Sequence, residues 1–201
     1  MITALDKRSA LVLIDLQKGI VKYETAHPIK EVLAQANILI DAFRKAGLPV
    51  VFVTVNPMGA AWTKCRVEQP SVPTNVVTQT VAKVIMPATG FEELVPELLQ
   101  QPGADIHIRK HTWNAFFETP LHQQLQAQQV TNIVLGGVST SVGVEGTARA
   151  ASELGYNLSF ASDAMTDRSL EAHHHSLKNI FPRIGEIGNV QDILNKLASR
   201  K

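Results

Sequence analysis

Two rhythms of apolar and polar positions alternate along the chain. The first is an unbroken apolar run, seen in ALVLIDLQ (10–17), LPVVFVTVN (48–56), NIVLGGV (132–138) and NLSFASDAM (157–165). Segments that are apolar at nearly every position, rather than every second one, predict strands buried on both faces. The second rhythm is helical. In EVLAQANILIDAFRKAG (31–47), Val32, Leu33, Ala36, Leu39, Ile40 and Phe43 recur at helical spacing, and Gly47 stands where a helix C-terminus favours glycine. Helices are also predicted over 119–130, with Thr119 as N-cap and Pro120 in the first turn, over 143–155, and over 169–181. A short helix is predicted over 90–99, and a last helix after Asn189 as its cap. ADIHIRKHTW (104–113) reads as a strand followed by a turn, and Pro57 to Pro87, weakly periodic and rich in Pro, Thr, Asn and Gln, as a long loop.

Strand and helix thus alternate from end to end. The expectation is an α/β fold, a three-layer α/β/α arrangement with a mainly parallel, Rossmann-like sheet, forming one domain over residues 1–201. In such sheets ligands bind beyond the carboxyl ends of the strands. The polar residues predicted there are Asp15, Asn56, Lys110 with His111, the Ser139–Gly143 turn, and Asp163.

Composition narrows the function classes. The chain is 45% hydrophobic and 18% charged, with a net charge of +1 and its Lys and Arg scattered. A nucleic-acid-binding surface normally shows a basic stripe, which is missing here. No apolar stretch approaches the roughly 20 residues of a membrane span, and the Ala10–Leu16 run is too short and too soon interrupted for a signal peptide. A single cysteine, Cys65, makes no internal disulfide, so a cytoplasmic setting is expected.

Six segments carry a resemblance: LVLIDLQ (11–17), GLPVVFV (47–53), IRKHTWNAFFETPL (108–121), VLGGVSTSVGVEGTARAASELGY (134–156), SDAMTD (162–167) and HHHSLKNIFPRIGEI (173–187). In this order and spacing the chain resembles the isochorismatase-like hydrolases, the cysteine hydrolase superfamily. That resemblance implies an aspartate after the first strand, matched by Asp15, and a lysine from a middle strand, matched by Lys110. It also implies a cysteine in the pattern G-V-[AS]-T-x-x-C-V-E-x-T-A-R. Here the pattern reads GVSTSVGVEGTAR over 137–149, and the cysteine position is Gly143.

In thiol-bearing relatives the helix N-terminus and the lysine favour thiolate, and the aspartate moves the proton. Backbone N–H groups of the turn, which here involves Val138, Ser139, Thr140 and Val142, stabilise an oxyanion, aimed by a cis peptide at the Val138–Ser139 junction. Relatives that hydrolyse isochorismate carry a small residue at the cysteine position and use the aspartic acid as general acid. GVEGTARAASELGY nevertheless follows the amidase-like branch more than the isochorismate-specific one. The expected function is therefore hydrolysis of a small molecule without a covalent intermediate, with Asp15 as general acid/base. The alternative is an inactive family member that binds small molecules or acts as a scaffold. Self-association as a homo-oligomer is expected from the family.

Other candidates carry less. His173-His174-His175 suggests a metal, but successive helical residues point apart, whereas helical metal pairs use i,i+4 spacing. The Asp-x-His motif of metal-dependent relatives is replaced by Asn56-Pro57-Met58, so neither metal nor other cofactor is expected. Gly136, Gly137 and Gly143 do not make the G-x-G-x-x-G of a dinucleotide-binding oxidoreductase. Ser139, Thr140 and Ser141 fit local bonding in a turn better than a nucleophile's role. Trp113 and Trp62 are candidates to shape a substrate pocket or meet another subunit, and Phe116 fits core packing.

Overall fold

The unbroken apolar runs form strands covered on both faces. The structure, a computed structural model, describes residues 1–56 and 89–200. Strands β1 (Ser9–Ile14), β2 (Val50–Val55), β3 (Ile106–Lys110), β4 (Asn132–Val138), β5 (Asn157–Thr166) and β6 (Glu186–Gly188) make one sheet. Their order is β3-β2-β1-β4-β5-β6, and every neighbouring pair is parallel. Helices α1 (Lys18–Val21), α2 (Ile29–Lys45), α3 (Leu121–Ala127), α4 (Glu145–Glu153), α5 (Leu170–His175) and α6 (Val190–Ala198) are the α-helices described.

Alternate residues of the inner strands feed two cores. Leu11 and Leu13 pack with Leu39, Ile40 and Phe43 of α2 and Ile193 and Leu197 of α6. Ala10, Val12 and Ile14 pack on the other face with Leu121 and Leu125 of α3 and Ala148 and Ala151 of α4. Each large side chain so buried contributes about 1.5–3 kcal/mol, which is why the strands tolerate almost no polar interruption.

Local chemistry fixes several ends as the pattern predicts. Gly47, at φ 66°, closes α2: its N–H donates to Arg44 O and that of Leu48 to Phe43 O, the paired bonds of a Schellman motif. Asn189 caps α6 in a capping box with Asp192.

Other expectations are corrected. Residues 90–99 form turns, not a helix. Their backbone is tied to residues 16–19 instead: Lys18 N donates to Glu93 O, Gly19 N to Phe91 O, and Val95 N to Leu16 O. Pro96 also lacks the N–H that a helix would need. The N-cap of α3 is Pro120 rather than Thr119, whose hydroxyl donates to Ala115 O. Residues 169–181 are α-helical only to His175 and continue as a wider turn from Ser176 to Ile180. Asp163 lies within β5, and its Oδ1 accepts from Val190 N at 2.8 Å, so it anchors the start of α6. The predicted loop from 57 to 87, with Trp62 and Cys65, lies outside the described residues.

Candidate functional site

The sheet order reverses between β1 and β4, which leaves a crevice beyond their carboxyl ends. Asp15 is the first residue past β1. Its N–H extends the ladder to Val53 O at 2.9 Å, and its φ of 51° places it in the left-handed region, where aspartate is tolerated better than most residues. Its side chain is buried. Lys110 ends β3, on the far side of β2, and is only 1% exposed. Its long side chain brings Nζ to 3.0 Å from Asp15 Oδ2 and lets it donate to Trp113 O at 2.7 Å.

The third wall follows β4. Gly137, at φ 118°, lies so close to β1 that a Cβ would run into the backbone of Ile14. The Val138–Ser139 peptide bond is cis, and residues Thr140–Val144 then form a single π turn that leads into α4. Gly143 sits inside this turn, two residues before Glu145 opens the α-helix. A Cβ on Gly143 would stand 2.9 Å from Ile14 Cγ2, 3.1 Å from Asp15 Oδ2 and 3.1 Å from Lys110 Nζ. The glycine thus faces the acid and the lysine at once.

These groups border a cavity of about 220 Å³. Asp15, Lys110, Ser139 and Gly143 meet it on one side, and Ile20, Val55, Phe91, Trp113, Val138 and Val142 supply apolar wall. Of the residues predicted for the site, the structure therefore brings together Asp15, Lys110, Val138, Ser139, Val142, Gly143 and Trp113. Trp62 lies outside the described residues. Trp113 is 60% exposed, so its carbonyl is the part that holds the lysine. Asn56 is buried beside the site, where its Nδ2 donates to Glu92 Oε1 and its carbonyl meets His111 Nδ1.

Thr140 is fully buried behind the turn, with Oγ1 2.8 Å from His173 Nδ1. Ser141 is held by Asp167, whose Oδ2 accepts from both the Ser141 N–H (2.7 Å) and hydroxyl (2.8 Å). Val142 N and Val144 N both donate to Ser139 O. The N–H groups of residues 141, 142 and 144 are thus engaged within the protein, which narrows the oxyanion role expected of this turn. His173 serves the turn as Thr140's partner. Burial first, then His27 and His174 nearby, lower its pKa from 6.5 to about 4 against the pull of Asp167, so its ring is neutral near pH 7.

Three positioning residues escaped the sequence reading: His173, Asp167 and Gln17. Gln17 is fully buried, donates from Nε2 to Val55 O (3.0 Å) and Phe91 O (2.9 Å), and accepts from Val55 N (2.7 Å). One amide therefore pins the exit of β1, the end of β2 and the segment carrying Phe91. Phe91 in turn covers Gly19, where its ring occupies the place a Cβ would need.

The electrostatics of the acid are set by competition. Burial raises the Asp15 pKa from 3.8 to about 6, against the opposing charge and hydrogen bond of Lys110. Asp15 Oδ1 is buried and has no hydrogen-bond partner among the described residues. Such an oxygen is expensive unless it carries a proton or meets a ligand.

A family model described as the isochorismatase domain matches residues 9–192. The isochorismatase family protein YecD of Escherichia coli O157:H7 is 40% identical over 192 residues, covering 95% of this chain and 97% of that protein. Nicotinamidase 3 of Arabidopsis thaliana is 28% identical over 175 residues, 87% of this chain and 81% of that one. Among solved structures, an isochorismatase family protein from Burkholderia thailandensis superposes with a TM-score of 0.84 at 34% identity, covering 98% of this chain and 100% of its own. Since the match takes in every strand of the sheet together with Asp15, Lys110 and the turn around Gly143, the chain belongs to the isochorismatase family.

Proposed function

We propose that this protein hydrolyses a small organic molecule without a covalent intermediate, using Asp15 as the proton-transfer group. The observation that carries this reading is the unpartnered Oδ1 of a buried carboxyl at the cavity, with Oδ2 held by Lys110. A proton on Asp15 satisfies that oxygen and is available to a substrate. Asp15 gives the proton to the substrate as the scissile bond opens. Water adds to the other fragment, and the carboxylate takes a proton from that water, which restores the starting state. Lys110 fixes the carboxyl and stabilises it while it is ionised.

By the family pattern, Gly143 occupies the place of the thiol, so among the described residues no sulfur nucleophile stands beside the acid. Two of the turn's hydroxyls are engaged elsewhere. Thr140 is buried against His173, and Ser141 donates to Asp167.

The test compares wild type with Asp15→Asn on isochorismate as the vinyl ether, on amides and on carbamoyl compounds. The expected result is turnover of one class, with kcat/KM falling as pH rises through about 6 because the protonated acid is the active form. Asp15→Asn should lower it by about 10²–10⁴-fold. Equal rates in the two proteins would refute the role of Asp15. Complete inertness of both would leave a chain that binds without turning over.

A further inference from the structure

We infer that the cavity takes a small organic anion, a carboxylate on an apolar body, and that Asp15 picks up a proton as this anion binds. The inference rests on reading this cavity as the substrate site.

The argument starts from charge balance in a buried space. Lys110 is 1% exposed and has Asp15 as its acidic partner. An unpaired buried charge is costly, so two arrangements are favoured. In one, ionised Asp15 neutralises Lys110. In the other, Asp15 is protonated and an anion from outside neutralises Lys110. They differ by one anion and one proton, so the two must bind together.

Geometry favours the second arrangement when a ligand is present. The ammonium has three N–H donors. Its bonds to Asp15 Oδ2 and Trp113 O leave one over among the described residues. Asp15, Lys110 and Gly143 border the same cavity, so a ligand group lying beside the glycine meets both the acid and the lysine. A carboxylate there faces the Asp15 carboxyl closely, and two neighbouring carboxyls keep a proton between them. Besides His111 and Thr112, the wall carries Ile20, Val55, Phe91, Trp113 and Val142, which suit an apolar body.

Among the described residues, the neighbouring carboxylates are already paired. On the 89–98 segment, Glu92 is bound by Arg109 and Asn56, and Glu93 by Lys18. On α1 and just beyond it, Lys18 is in that pair and Lys22 lies over the Tyr23 ring. His111, next to Lys110, meets Asn56 O, and the residues of the turn that line the cavity are uncharged. His111 also lines the cavity; proton uptake is assigned to Asp15 because it contacts Lys110 directly, and the Asp15→Asn comparison separates the two.

The probe is benzoate, with propionate as a smaller acid and benzamide as the uncharged isostere. Calorimetric titrations at pH 7 in buffers of different ionisation enthalpy report protons taken up, and titrations from pH 5.5 to 8 report affinity. With free Asp15 titrating at about 6, wild type should take up more than about half a proton per benzoate at pH 7, and Kd should rise by up to about tenfold per pH step. Asp15→Asn should bind benzoate with neither uptake nor pH dependence over this range. Three results overturn the inference: pH-independent binding by wild type, undiminished uptake in Asp15→Asn, or no saturable binding of benzoate or propionate at pH 5.5. Benzamide binding better than benzoate at pH 5.5 also overturns it. The hydrolytic reading fails separately, on turnover. Proton-linked binding without turnover sinks only that reading, and Asp15-dependent turnover without proton uptake sinks only this inference.

Discussion

The buried carboxyl at the cavity makes stability depend on pH in a direction opposite to that of an ordinary salt-bridged aspartate. Asp15 binds its proton more tightly in the folded protein than in the unfolded chain, because its pKa rises from 3.8 to about 6. Its contribution to stability is therefore fully present below about 3.8 and is lost as pH rises through about 6. At about 1.4 kcal/mol for each tenfold change in proton affinity, the full effect is about 3 kcal/mol. Between pH 5 and pH 8 roughly 1 kcal/mol of it should disappear. The perturbation is Asp15→Asn, which removes the titration and nearly preserves shape. Urea unfolding of both proteins at pH 5, 6, 7 and 8 gives the difference in stability at each pH, which cancels groups common to both. Whatever its absolute offset, that difference, wild type minus variant, should fall by roughly 1 kcal/mol from pH 5 to 8. A flat difference would show that Asp15 holds its proton no more tightly than an ordinary carboxyl, as it would if Lys110 outweighed burial.

Lys110→Met should cost about 3–5 kcal/mol at pH 8, where it strands an ionised carboxyl. At pH 5 the cost should be clearly smaller, because Asp15 can protonate, and equal losses in urea melts at both values would refute the coupling. Gly19→Ala places a methyl group where the Phe91 ring lies. It should weaken benzoate binding by displacing that wall while the two cores stay intact, and unchanged affinity would show that Phe91 does not shape the site. Gly143→Cys should destabilise by about 1–3 kcal/mol through overpacking against Ile14. In a double-mutant cycle with Ile14→Ala the two changes should be less costly together than added, by about 0.5 kcal/mol or more, whereas strict additivity would place the strain elsewhere.

How much of this was legible in the sequence depends on the range of the interaction. Strands buried on both faces must be apolar throughout, so β1, β2, β4 and β5 announce themselves, and a polar residue at the end of such a run, as at Asp15, stands out. Gly47 and Asn189 act on groups within a few residues and are equally readable. The failures are long-range. Segment 90–99 looks helical by spacing, yet its backbone bonds to residues 16–19. Gln17 is an unremarkable polar residue until Val55 and Phe91 arrive as partners 38 and 74 residues away. His173 stands in a histidine run that suggests a metal, and its partner Thr140 is 33 residues distant. Asp163 and Asp167 were both near the end of one strand, and only the length of β5 decides which one serves the turn.

The same range argument changes the meaning of Gly143. From the motif alone it is a missing side chain. In the fold, the methyl of Ile14 and the two charged groups close to within 2.9–3.1 Å of the place a side chain would begin. That closeness limits the water over the pair, and limited hydration is what raises the affinity of Asp15 for a proton. Lys110 opposes the rise. A carboxyl with burial alone would hold its proton too firmly to act as a base, and one with only the lysine would lose it too readily to act as an acid. Proton transfer in both directions at near-neutral pH needs the two influences nearly balanced, as at about 6. The glycine belongs to that balance, because any side chain at 143 must push apart the groups that set it. The bare glycine at 143 and the tuning of the acid are then one structural feature rather than two.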